Sequence, residues 1–308
     1  MIGDWTAVAV RARGLATRRL GRAGAQKLAH AKSLDEALRM LSRTPYGRDV
    51  RIGMDLASAE RALADTLLWH LRVLAGWAPS RGLDRVRLLA AGFEIANVVG
   101  ILARLEGRAV APPYALGALA TSWGTISRAT NADDVRRALV TSAWGDPGGS
   151  DLPSIAAAMQ AAWARRVTFG VPEAQSWAKM FAALLAARLL ADGQAFRSEA
   201  IRHNLRLVLG GKWEQVRSVE TLAASLPTSA AQVLFELRDR NDLWRAEART
   251  WTLIEAQALR MQAGWRPAPG AVVAVAALLA ADAWRTRAAL EVAARGGRAP
   301  LEVSDVVA

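Results

Sequence analysis

The residues that could do chemistry are few and stand far apart. The 308-residue chain has no cysteine, which leaves no thiolate nucleophile, no thiolate metal site and no disulfide framework. Its three histidines, His30, His70 and His203, include no pair at the spacing that puts two imidazoles on one helix face. Asp133 and Asp134 are adjacent carboxylates, but they follow Asn131 where a helix should begin, and acids there complement the helix's positive end. Gly145–Ser150 (GDPGGS) has the glycines of a phosphate loop without the G-K-[ST] that would follow them, and reads as a linker. Gly210-Gly211-Lys212 closes a helix instead of opening one. No nucleophile-plus-base motif emerges, so the expectation is a protein without an active site, cofactor or metal of its own.

What does recur is a polar residue on an apolar helix. Through Phe93–Arg108 (FEIANVVGILARLEGR) and the residues just before it, Val86, Leu89, Phe93, Asn97, Ile101 and Leu105 fall three or four apart, so Asn97 lies on an otherwise apolar face. Ile201–Lys212 (IRHNLRLVLGGK) again sets an asparagine, Asn204, in an apolar helix that ends in glycine and a base. A weaker copy, Asp282–Gly296 (DAWRTRAALEVAARG), ends in Arg295-Gly296. Related helices about a hundred residues apart suggest one helical unit used three times. An asparagine in such a place can bond across to a neighbouring helix and fix its register.

These motifs need helices to carry them, and the composition supplies helices. Alanine and leucine are abundant, while tyrosine and phenylalanine are scarce, which predicts an all-α fold. The net charge of +12 raises the prior for an anionic partner, yet the bases are nearly all arginines interspersed with acids along most helices. Nucleic acid is therefore an unlikely partner. The twelve tryptophans are spread from Trp5 to Trp284 and read as packing residues. The most apolar run, Gly270–Ala281, is far shorter than the roughly 20 residues of a membrane span, so it predicts a core helix. The opening MIGDWTAVAVRAR lacks the pattern of a secretory signal, and a soluble protein is expected, with a seat on a membrane complex left open.

The spacing predicts a first helix from about Asp4 towards Leu28, then a Ser33/Glu36 capping box and a short helix to Leu41, stopped by Thr44-Pro45-Tyr46-Gly47. A long helix from Ile52 to Trp77 should turn at Pro79–Gly82 and pack antiparallel to the Phe93 helix. Helices are expected over Leu152–Val167 and, begun by Pro172, over Glu173–Leu190. The Asn204 helix follows. A long amphipathic segment is expected from Ser229 to Met261, and Pro267 and Pro269 should break it before the last helix.

Laid out in this way, the chain resembles the C/d subunit family of vacuolar- and archaeal-type rotary ATPases. Val10–Leu20 (VRARGLATRRL) and Ser33–Gly47 (SLDEALRMLSRTPYG) are similar to the family's opening. Glu94, Ile95, Asn97 and Arg104 fall on its recurrent acid, aliphatic, asparagine and basic positions. The second copy keeps Asn204 and Lys212 but has Ile201 at the acid. The third keeps Asp282 and Arg295, with Arg287 assigned to the asparagine position.

The resemblance implies three similar helical bundles in one funnel-shaped subunit, divided at residues 1–111, 112–212 and 213–308. It implies a non-catalytic adaptor on the cytoplasmic face of the membrane, between the central stalk and the membrane rotor ring. Its contacts with those partners, or indirectly with the membrane surface, would involve Arg11, Arg13, Arg18, Arg19, Arg285 and Arg295. The alternative is a basic helical-repeat scaffold that binds nucleic acid or another protein.

Overall fold

The computed structural model describes residues 2–193, 198–264 and 269–297, and among them it is helical throughout, without a strand. In chain order the helices are α1 (Ile2–Ala16), α2 (Gly21–Ala29), α3 (Leu34–Leu41), α4 (Leu56–Trp77), α5 (Ser80–Ala90), α6 (Gly92–Leu105), α7 (Trp123–Ile126) and α8 (Ala132–Val140). They continue with α9 (Leu152–Gly170), α10 (Gln175–Ala191), α11 (Glu199–Leu209), α12 (Val219–Leu222), α13 (Thr228–Ala231), α14 (Leu243–Ala263) and α15 (Pro269–Ala294). The all-α expectation is met.

Local chemistry sets many of the boundaries. Ser33 Oγ accepts the Glu36 N–H at 3.2 Å, Asp55 accepts that of Ser58, Asn131 that of Asp134 and Asp151 that of Ser154. Each satisfies an orphan donor at a helix start. Glu36 returns its carboxylate to Lys32 N–H at 2.8 Å, one residue earlier than a strict capping box requires. The Pro45 stop is a 3₁₀ turn over Pro45–Arg48, capped by Thr44, and Gly47 closes on it so tightly that an added Cβ would lie 2.1 Å from Ser42 O.

The chain forms two compact units, residues 1–86 with 251–308, and residues 87–250. These packing units and the three sequence repeats are different divisions, with boundaries at different places. In the first unit α15 is apolar on nearly every side, from Val272 through Leu279 to Val292, as a helix surrounded by others must be. It packs on α1, α2, α3 and α4. Leu28, Leu38, Leu41, Leu63 and Leu290 fill the space between them. In the second unit α10 has the same all-round apolar character, from Trp177 to Leu189, and packs on α9, α11, α12 and α13. A further core there joins α6, α8 and α9 through Val98, Leu102, Val135, Leu139, Ile155 and Met159.

Three expected elements differ. The first helix is interrupted between Ala16 and Gly21, because the N–H groups of Leu20 and Gly21 are taken by a side chain from α15 and Gly21 has φ +73°. The α4/α6 hairpin does not hold as drawn: α5 intervenes, and α4 and α6 belong to different units. The Ser229–Met261 segment is helical at its start and again from Leu243. Between them Glu236 adopts φ +58° and Asp239 caps a short turn by accepting Asn241 N–H at 2.7 Å. Pro267 lies outside the described residues, while Pro269 begins α15, where a proline costs no hydrogen bond.

Candidate functional site

The acid positions of the sequence motif are buried carboxylates with matching surroundings. Glu94, near the start of α6, is fully buried. Its Oε2 accepts the Thr121 N–H, and its Oε1 accepts the Ser122 N–H at 2.8 Å and the Trp144 Nε1–H at 2.9 Å. Asp282, in the middle of α15, is 2 % exposed. Its Oδ2 accepts the Leu20 N–H and the Tyr46 hydroxyl, its Oδ1 the Gly21 N–H, each at 2.8 Å. Each carboxylate therefore holds two consecutive backbone N–H groups and one aromatic donor.

The held backbone pairs sit where a helix begins. Leu20 precedes α2 and Ser122 precedes α7, and neither helix start has a side-chain cap of its own. Glu94 and Asp282 supply those caps from a distance, placing negative charge where orphan donors point outward. Such charge-assisted bonds offset the cost of taking a carboxylate out of water. Burial, reinforced by the charge of Asp282, pushes the Tyr46 phenol well above its ordinary value, so it stays protonated as a donor.

Each cradle has an arginine nearby. Arg166 lies over the Trp144 ring, 4.8 Å from its centroid; burial lowers its pKa, Arg165 and Arg87 push the same way, and Glu94 opposes them. In the other unit Arg285, three residues after Asp282, donates to Glu255 at 2.6 and 3.2 Å, and both side chains are buried. Arg22 also reaches Glu255 at 3.1 Å, and Arg19 stands 3.7 Å away. Burial raises the Glu255 pKa, but its bonds and charges with Arg285 and Arg22 outweigh that and leave it below the usual glutamate value. Glu255 was missed in the sequence. Its one signal there is an acid beside Ile254, on a helix whose buried stripe runs Ala246, Thr250, Ile254 and Ala258.

The other motif residues do not share one role. Asn97 is buried, donating from Nδ2 to Tyr114 O at 2.9 Å and accepting Tyr114 N–H at 2.6 Å; it pins the loop after α6, not the neighbouring helix expected. Asn204 donates to Ala200 O within its own helix at 2.9 Å. Counting from the buried acid, the residue in the Asn97 position of the third copy is Arg285, not Arg287. Arg104, Lys212 and Arg295 are exposed. Lys212 opens a 3₁₀ turn after α11 has ended at Gly210, whose φ of +85° suits glycine.

Among the expected contact residues, Arg11, Arg13 and Arg18 are exposed on or just after α1, with Arg11 5.6 Å from the Trp77 ring centroid. Arg19 is partly turned inward: Nε donates to Ala16 O at 2.9 Å. Arg285 is a correction. Its guanidinium lies inside the first unit on Glu255, because a buried carboxylate without a partner would be costly, and it offers no open surface. Asp134 accepts from Thr130 and Asn131, as a helix-start acid does. Gly145–Ser150 serves as a connector in which Asp146 accepts Gly148 N–H and pairs with Arg136.

Residues 8–150 match the family model described as ATP synthase (C/AC39) subunit. That stretch holds Arg11 and Arg13 of α1, the Pro45 stop, Asn97, and Glu94 with the three groups that donate to it. Through this segment, which is less than half of the chain, the protein is similar to the ATP synthase (C/AC39) subunit family. No curated protein matches the chain. Asp282 itself lies beyond the C/AC39 match, while the groups it holds, Leu20, Gly21 and Tyr46, lie within it; the cradle repeats the chemistry of the Glu94 cradle. Among the described residues no single helix is long and apolar enough to cross a membrane.

Proposed function

We propose that the chain is a non-catalytic adaptor of the central stalk in a vacuolar/archaeal-type rotary ATPase. It sits peripherally at the cytoplasmic face of the membrane and links the rotating stalk to the membrane rotor ring, in ATP-driven or ATP-synthesising transport of protons or sodium ions. The observation that carries this reading is the C/AC39 match over residues 8–150. The proposal includes the three-bundle funnel divided at residues 111/112 and 212/213, with Arg11, Arg13, Arg18 and Arg19 facing the partners. The buried capping carboxylates agree with a mechanical role, since they tie loops to helices by charged bonds, and packed interiors joined in this way deform little. The nucleic-acid scaffold has no observation in its favour and is not carried forward.

The test is copurification of the tagged full-length protein from its native membranes in gentle detergent. Recovery of stalk and rotor-ring subunits in defined proportion is expected. A preparation that retains an intact ATPase but leaves the tagged chain behind would overturn the proposal.

A further inference from the structure

Arg165 and Arg166 follow one another near the end of α9, and both side chains are half-buried. Arg165 Nε and Arg166 Nη1 are shielded from solvent and meet no hydrogen-bond acceptor among the described residues. A donor taken out of water without an acceptor is costly, so the burial of these two nitrogens is not offset by a bond. Packing holds Arg166 instead, with its guanidinium laid over the Trp144 ring.

Positive charge from two helices converges there. Arg165 and Arg87 both repel Arg166 and, with burial as the larger cause, lower its pKa. Glu94 attracts Arg166, but the oxygens of Glu94 already accept the Thr121 and Ser122 N–H groups and the Trp144 ring N–H. An apolar group stands beside the cations. Phe169 lies one turn after Arg165, on the same face of α9, and is 64 % exposed, where a phenylalanine on a packed helix is ordinarily turned inward.

We infer that this end of α9 docks an acidic segment of a partner protein, its carboxylates taken by Arg165 and Arg166 and an apolar side chain of the same segment lying on Phe169. Guanidinium N–H groups meet carboxylate oxygens in pairs, and an anion placed between two arginines also relieves their repulsion. An aromatic and an arginine side by side are the residues that anchor protein interfaces. A lone inorganic anion would leave Phe169 without a contact, whereas a peptide brings acids and apolar groups together. The inference concerns residues of one unit and does not depend on the adaptor reading.

The test places the photocrosslinker p-benzoylphenylalanine at position 169 of the tagged full-length protein, irradiates native membranes and maps the crosslinked peptide by mass spectrometry. The expected product is a protein segment with acidic residues flanking the crosslink. Arg165 takes no part in the Glu94 cradle, so Arg165→Gln leaves those hydrogen bonds in place, and Arg43→Gln, on an exposed arginine after α3, removes the same charge elsewhere. Crosslink yield should fall about tenfold with Arg165→Gln, the effect of losing one charged hydrogen bond, and stay near the parent value with Arg43→Gln. A crosslink to a segment without acids, to lipid or nucleic acid, no crosslink at all, or equal loss in both variants would overturn the site. An acid-flanked segment from a protein outside any rotary ATPase would sustain the site and count against the adaptor reading, so the two can fail separately.

Discussion

Glu94 and Asp282 accept the same three kinds of donor, but they tie together different lengths of chain. Glu94 holds segments 27 to 50 residues away, all within residues 87–250. Asp282 holds segments 236 to 262 residues away and so binds the C-terminal helix to the N-terminal part of the chain. One chemical device closes a local loop in one unit and a nearly chain-length loop in the other. The lesson is that a short motif specifies the chemistry of a contact, while the fold decides what that contact joins.

The comparison can be broken most forcefully by removing the carboxylates. Asp282→Ala and Glu94→Ala should each cost about 3–5 kcal/mol, because two backbone donors and a ring donor are left buried without an acceptor. Chemical denaturation with fluorescence detection reads this. Asp282→Ala should also raise proteolysis at both ends of the first unit, whereas Glu94→Ala should expose residues 107–131. Identical cleavage patterns in the two variants would remove the distinction. Arg285→Met should cost roughly 2–4 kcal/mol by leaving Glu255 with its more exposed partners only.

A smaller effect sharpens the parallel. Tyr46→Phe and Trp144→Phe each delete one donor to a carboxylate that keeps its backbone pair, and losses of about 1–3 kcal/mol are expected, the larger for Trp144 because volume is lost as well. Gln in place of Glu94 would keep the shape but bring an NH₂ to a site built from donors, and should cost nearly as much as alanine.

A gradual effect, spread over a pH range, is expected in the first unit. His70 is buried, and its pKa falls from 6.5 to about 4 because burial, Arg18 and Arg48 all oppose the imidazolium. A depressed histidine pKa means that the unfolded chain takes up the proton first. The neutral form's contribution is whole above pH 6.5 and is lost as pH falls towards 4, by at most about 3 kcal/mol. His70→Gln should flatten stability across that window; an unchanged slope would contradict the assignment.

The helices and their caps were legible in the sequence because both depend on neighbours within a few residues: Ser33 with Glu36, Asn131 with Asp134, and the Pro45 stop. Glu94 and Asp282 were legible as motif positions, and the likeness to the C/AC39 subunit family over residues 8–150 was legible from Glu94 together with the arginine-bearing opening. What they hold was not. Leu20 and Gly21 donate through their backbone, so no side-chain type marks them, and they stand more than 260 residues from Asp282. The same distance hid the break in the first helix. Asn97 and Asn204 share a motif position but not a role, since Asn97 bonds the Tyr114 backbone and Asn204 donates to the Ala200 carbonyl of its own helix. Arg285 looked like a surface base for want of its partner, Glu255, thirty residues earlier on another helix.

The adaptor role is tested most directly by measuring ATP-driven ion movement and ATP hydrolysis together in native membrane vesicles from cells lacking this chain, then restoring the full-length protein. The account predicts that hydrolysis by the head persists while ion movement is lost, and that coupling returns on restoration. Ion movement at the normal ratio to hydrolysis without the chain would contradict it.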